Sequence, residues 1–199
     1  MIETLAKRIT NKFVENRIIN PEDNEIYNYC FETTIVSLIS YFSLFVLSIL
    51  FNEFVCSIIF LISFSIFRKI CGGYHADNYT KCSIMSLLSY LAMILIIKKI
   101  NIIFCSNFYI FIIGLIIVFL LSPIQDKNKP FTEKQYKRFK IISKSLATLL
   151  IILFMILRLF EFQNLFMNKY YFSLCYGIDL VAFSLLISKI ERSIKNAKN

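Results

Sequence analysis

The feature that most restricts this chain is a succession of apolar runs, each too long and too poor in charge to be the buried stripe of a soluble helix. Six of them stand at approximately 33–51, 54–67, 83–97, 102–121, 141–160 and 170–188. Runs of about 18 or more such residues read as transmembrane helices. In hydrocarbon every backbone N–H and C=O must be paired within its own segment, so the runs are expected to be helical. Composition agrees: 57% of residues are hydrophobic and 18% charged, where a soluble domain carries about a quarter charged. The predicted fold is all-α, a polytopic integral membrane protein of about six transmembrane helices. It is expected to form a single membrane domain over 1–199. Residues 1–32 would be a cytoplasmic or interfacial segment, 33–188 the helices and 189–199 a basic cytoplasmic tail. The second and third runs are short for a span of about 20 residues. Either flanking residues lengthen them or both enter the bilayer obliquely; six crossings are preferred over five.

Residues 1–32 carry Glu3, Lys7, Arg8, Lys12, Glu15 and Arg17, which leaves no apolar core for a cleavable signal peptide. Within them, Ile2, Leu5, Ala6, Ile9 and Phe13 share one face of a candidate amphipathic helix over 2–19. Two readings stand for it: a helix lying in the headgroups, or one packing on its own protein. Pro21 and the acidic stretch from Glu22 to Glu25 break it. The net charge of +9 does not indicate nucleic acid, because the cations cluster at the ends of apolar runs, where topology and anionic lipid account for them. Most Lys and Arg fall on one side if the N-terminus is cytoplasmic: Lys7 to Arg17, Arg68, Lys69 and Lys81, the stretch Lys127–Lys140, and Lys189 to Lys198. Lys98, Lys99 and Lys169 dissent. The positive-inside rule therefore places both termini in the cytoplasm of a multi-pass cell-membrane protein.

Six cysteines (30, 56, 71, 82, 105, 175) form no CxxC pair, and the chain has one histidine. A disulfide framework is not expected, nor a metal site, and no cofactor is implied. The segment 68–83, on the cytoplasmic side between two short runs, concentrates what chemistry remains. It holds Arg68, Cys71, Gly72, Gly73, His75, Asp77, Asn78 and Cys82. A Cys and a His are the minimum for thiolate catalysis, since the imidazole takes the thiol proton and a peptide carbonyl then yields a thioester. On one straight helix His75 and Cys82 would be separated by about 10 Å of rise, so a working pair needs a bent segment, for which Gly72–Gly73 and Asp77–Asn78 supply breakpoints. Cys71 stands four residues before His75, but across the two glycines. Spacing favours Cys82 over Cys71 only slightly, as Cys82 opens the third run, where a helix N-terminus would favour a thiolate. A structural role for a lone His beside a membrane competes with catalysis. Asp179, deep in the last run, is a functional candidate because an ionisable group in hydrocarbon is costly; Arg158 lies too near the other face to pair with it.

Three blocks resemble the accessory gene regulator B (AgrB) family, membrane endopeptidases of Gram-positive quorum sensing. The first is Arg68, then His75 seven residues on and Cys82 seven further, with Gly73 two before the His. The second is the proline-bounded Ser122–Pro130, and the third Glu25–Glu32, where Cys30 replaces an expected small residue. Length and run order fit along essentially the whole chain. The resemblance implies a cysteine endopeptidase with Cys82 as nucleophile and His75 as base. Its partner would be a short AgrD-like precursor peptide carrying an internal Cys or Ser. Cys82 would cut on the C-terminal side of the future signal, and the precursor's own thiol would close a thiolactone on the thioester. Arg68 would hold a carboxylate or the oxyanion, or serve only as a topology or lipid-phosphate charge. Gly72 and Gly73 would form a turn and admit substrate backbone, and Asp179 is a further substrate-binding candidate. Membrane lipids are the other partner, and a homodimer is compatible with a chain this small. Two other classes compete, a small multi-spanning transporter and a non-catalytic peptide-binding scaffold. Neither requires His75 or Cys82.

Overall fold

The computed structural model describes residues 2–74, 79–99, 105–125, 131–160 and 169–198. In chain order these form α1 (Ile2–Glu15), a 3-10 turn (Pro21–Asp23), α2 (Asn24–Leu50), α3 (Phe54–Cys71), α4 (Tyr79–Lys99), α5 (Cys105–Leu121), α6 (Glu133–Leu159) and α7 (Lys169–Lys198). Among the described residues there is no strand, only an isolated parallel bridge between Gly72 and Ile124. The all-α polytopic membrane class is as expected. Among the described residues, five segments are long and apolar enough to cross a membrane: Pro21–Leu50, Phe54–Cys71, Lys81–Lys98, Glu133–Leu159 and Lys169–Lys195. Phe108–Leu121 of α5 is equally apolar in character but shorter.

The helices overrun the apolar runs for local reasons. α2 begins at Asn24, well ahead of residue 33, because Pro21 opens the preceding turn and Glu22, Asp23 and Glu25 sit at its N-terminal end, where the helix dipole favours negative charge. α6 begins at Glu133 on a capping box, with Thr132 and Gln135 each bonding the other's backbone N–H. The basic residues Lys134 to Lys140 are thereby helical. At 27 residues each, α2 and α6 are about 40 Å long, so their polar ends project beyond a hydrocarbon core of about 30 Å.

The described chain falls into two compact units. The first comprises Met1–Asn52 with Ala76–Ala92. Here α1 packs on α2, with the rings of Phe13 and Phe31 5.4 Å apart and Ala6 and Thr10 buried. The amphipathic helix thus packs on its own protein. The early turns of α4 meet α2 through the hydroxyls of Ser40 and Ser83, 2.6 Å apart.

The second unit comprises Glu53–His75 with Met93–Asn199. Its core is built from Phe67, Phe111, Leu115, Val118, Ile178 and Leu185 with their neighbours. Glu53 bonds Lys169 at the start of α3 and α7. Further along, a Cβ on Gly177 would lie 2.2 Å from Ser63 Oγ and 3.1 Å from Phe60 O, so the two backbones approach closely, as small residues permit in membranes. Further still, Arg68 bonds Ser184. These contacts rise together in sequence, so α3 and α7 run in the same direction. α5 shares it, since the residues after its end, Ser122 to Gln125, meet the ends of α3 and α7. α6 runs the opposite way, with Phe154 against Phe111 and Lys144 over Phe119. α5 therefore traverses the unit from end to end, which accounts for the sixth run despite its length.

Candidate functional site

The end of α3 is where the segment 68–83 takes shape. Gly72, with φ +70°, ends the helix, a backbone region that glycine enters without penalty. Gly73 follows at φ +109°. The chain then runs beside the stretch that follows α5: Ile124 N–H donates to Cys71 O (2.9 Å), Gly73 N–H to Ile124 O (3.2 Å), and Tyr74 N–H crosses to Ser184 O of α7 (3.2 Å). Neither glycine has room for a side chain. A Cβ on Gly72 would lie 2.2 Å from Ile124 O, and one on Gly73 would lie 2.5 Å from Ser184 Oγ and 2.6 Å from Arg68 Nη1. The turn reading of the pair is the one the backbone displays.

Arg68 sits inside this knot. Its Nη1 donates to Gly72 O and to Ser184 Oγ, both at 2.8 Å, and its Nη2 donates to Tyr74 O. Charge-assisted bonds of this kind are stronger than neutral ones. The guanidinium thus binds carbonyls and a hydroxyl of its own chain, a scaffolding role that sequence reasoning did not weigh. Arg192 of α7 donates in the same manner to Gln125 O, securing the stretch beyond Pro123.

Cys82 is the fourth residue of α4, exposed, and its carbonyl accepts from Ser86 Oγ at 3.0 Å. It belongs to the first compact unit, Arg68 to Tyr74 to the second. His75, Asp77 and Asn78 lie outside the described residues, as do Lys127 to Pro130. Cys71, the other candidate nucleophile, is fully buried in the core of the second unit with Phe67 and Ile124. Of the described cysteines, Cys30 and Cys82 are exposed, and Cys56, Cys71 and Cys175 buried.

Arg68, Gly72 and Gly73 are therefore brought together, and Asp179 stands apart from them. The Asp179 carboxylate packs on α5 at Gly114, where a Cβ would lie 2.1 Å from Oδ1. That oxygen has no hydrogen-bond partner among the described residues. Arg158 lies over the Phe108 ring, 5.8 Å from its centroid. Sequence reasoning missed Ser184, which contributes both its hydroxyl and its carbonyl to the knot. The only signal for it was a hydroxyl residue amid the apolar Val181–Leu185 stretch.

The profile of the family described as accessory gene regulator B matches residues 6–186. A putative AgrB-like protein of Clostridium perfringens (strain SM101 / Type A) is 36% identical over 174 residues, covering 83% of this chain and 80% of that protein. The accessory gene regulator protein B of Staphylococcus aureus (strain JH9) is 30% identical over 117 residues, 59% of this chain and 63% of its own. That of Staphylococcus epidermidis is 28% identical over 97 residues, 49% and 50% respectively. No solved structure matches the chain.

Proposed function

The chain belongs to the accessory gene regulator B family, and from that premise we propose that it is a membrane-embedded cysteine endopeptidase. Its substrate is the precursor of a cyclic peptide signal used in quorum sensing. The observation that carries the choice of nucleophile is the contrast between Cys82, exposed in the opening turns of α4, and Cys71, sealed in the core.

His75 takes the proton of the Cys82 thiol, and the thiolate adds to the carbonyl at the C-terminal edge of the future signal. Collapse of the tetrahedral intermediate breaks the peptide C–N bond. His75 returns the proton to the departing amine, and the tail leaves with a free N-terminus. The signal half remains as a thioester on Cys82. The precursor's internal thiol then adds to the same carbonyl, Cys82 leaves with its proton restored, and a thiolactone closes. One thioester replaces another, so no external energy source is required. Water is the competitor, and a site at the membrane face limits its access.

In the second compact unit, α3, α5 and α7 end and α6 begins at one end of the bundle. Arg68, Lys69, Lys134, Lys137, Arg138, Lys140 and Arg192 belong to that end. Their charge supports assigning it, with the Arg68–Tyr74 turn and the C-terminus, to the cytoplasmic side, and Lys7, Arg8 and Lys12 of α1 support the same side for the N-terminus.

The test is reconstitution of purified protein with a candidate precursor peptide, read by mass spectrometry for tail release and an enzyme adduct. The wild type is expected to carry an acyl group on Cys82, and Cys82→Ala and Cys82→Ser are expected to release no tail. Cleavage by these variants at the wild-type rate would remove Cys82 as nucleophile. Failure of the wild type to cleave any precursor would favour a transporter or a peptide-binding scaffold.

A further inference from the structure

We infer that Ser40 of α2 is a positioning residue for the proposed nucleophile, setting the place of Cys82 through the adjacent Ser83; the inference rests on the peptidase reading above. Cys82 belongs to the opening turns of α4, and the first four N–H groups of a helix have no carbonyl on a preceding turn to bond. Its own polar contact runs along the same helix, from Ser86 Oγ to Cys82 O. Of the apolar side chains that follow it, Ile84, Met85 and Leu88 are exposed, so apolar packing does little to fix these turns. The hydrogen bond that joins them to α2 is made by Ser83, whose hydroxyl lies 2.6 Å from that of Ser40, 43 residues away. Both serines belong to the first compact unit.

The polarity of this contact follows from its surroundings. Ser40 spends its single proton on Val36 O, one turn back at 2.8 Å, so towards α4 it can only accept, and Ser83 is the donor. Removing the Ser40 hydroxyl does not strand Ser83, because a serine in a helix can turn its proton to a carbonyl of its own preceding turn. What is lost is the tether between the helices. Further along α4, Tyr90 is fully buried and anchors the helix, about 12 Å beyond Cys82. A tilt of about 5° about that anchor carries Cys82 through about 1 Å. A misplacement of about 1 Å is enough to cost on the order of a hundredfold in rate. Ser40 therefore acts on the reaction through the place of the thiol, without touching the reacting atoms.

The experiment compares Ser40→Ala, Ser40→Thr, Ser83→Ala and the Ser40→Ala, Ser83→Ala double variant in full-length protein in micelles. Cys82→Ala serves as the reference. Tail release from a candidate precursor peptide gives kcat and KM, and Tm is read alongside to report an intact fold. Ser40→Ala and Ser83→Ala are each expected to lose roughly tenfold in kcat, with KM within about twofold of wild type and Tm nearly unchanged. Because the two hydroxyls form one contact, the double variant should be no slower than either single variant. Ser40→Thr keeps the accepting oxygen and should stay within about twofold of wild type. A Ser40→Ala variant as fast as wild type, equal losses in the Thr and Ala variants, or losses that multiply in the double variant would overturn the inference while leaving the peptidase reading in place. A Ser40→Ala loss carried by KM or by unfolding, with kcat of the folded protein unchanged, would do the same. A Cys82→Ala variant that releases the tail like wild type would remove the peptidase reading, and this inference with it.

Discussion

Cys71 and Cys82 bracket the only histidine, and burial separates them in the property that decides thiol chemistry. A thiol enclosed in an apolar core is closed to reagents and substrates, whereas one exposed near a helix start is open to them. Brief treatment of the folded protein with a small thiol reagent should therefore modify Cys30 and Cys82 and spare Cys56, Cys71 and Cys175, read by peptide mass spectrometry. Cys71→Ala should keep processing within a few-fold of wild type, at a stability cost of roughly 1 to 2 kcal/mol for the lost packing. The glycines make the complementary case. Gly73→Ala combines a positive φ with a Cβ at 2.5 Å from Ser184 Oγ. It should cost roughly 1 to 3 kcal/mol and abolish most tail release, measurable as a lowered Tm in detergent alongside the cleavage assay. The glycine pair announced its turn in the sequence, because nothing else in the chain doubles glycine. Ser184 announced nothing, since its partner is 116 residues away and a serine in an apolar helix satisfies itself on the preceding turn, as Ser184 does on Val181.

At the level of elements, the helix contacts are set by small residues meeting polar ones. The four glycines of the chain divide evenly: two shape the turn after α3, and two lie in apolar helices at contacts. Gly177 admits α3 at Ser63, and Gly114 admits the Asp179 carboxylate. Gly114→Ala should force Asp179 to move and lower the Tm, whereas the same change in an Asp179→Ala background should cost less. The non-additivity should be about 0.5 to 3 kcal/mol, the range for residues in direct contact. The pair at the other end behaves differently. The Glu53 side chain is 11% exposed and bonds Lys169, so Lys169→Met removes the ion-pair partner of a largely enclosed carboxylate, at roughly 1 to 3 kcal/mol. A Glu53→Gln, Lys169→Met double variant should recover part of that loss in thermal unfolding. Sequence reasoning found the apolar runs and flagged Asp179. It could not find Gly114 opposite, because helix pairing depends on which faces meet. It also set the start of α2 too late, because charged residues stay helical once they project beyond the hydrocarbon.

For the molecule as a whole, the common direction of α3, α5 and α7 is the constraint of widest reach. It places Lys69 and Arg192 at one end of the second compact unit and Glu53 and Lys169 at the other. Single cysteines introduced at 69 and 192 in a cysteine-free background should both react with an impermeant maleimide only from the cytoplasmic side, and those at 53 and 169 only from outside. Any mixed result within a pair would break the orientation. The membrane class was legible because hydrocarbon demands apolar length, and the motif because rare residue types were crowded into one segment. The common direction of α3, α5 and α7 is read from their end-to-end contacts, whereas the side each end faces rests on the charge count alone. The pairing of α3 with α7 also bears on how the protein is made. Both α3 anchors, Glu53 to Lys169 and Arg68 to Ser184, span 116 residues, so at translation rates of about 5 to 20 residues per second α3 waits roughly 6 to 23 s for its partner. A nascent or prematurely terminated chain lacking α7 has the turn after α3 untied, so on the peptidase reading proposed above processing would begin only with the last helix to leave the ribosome.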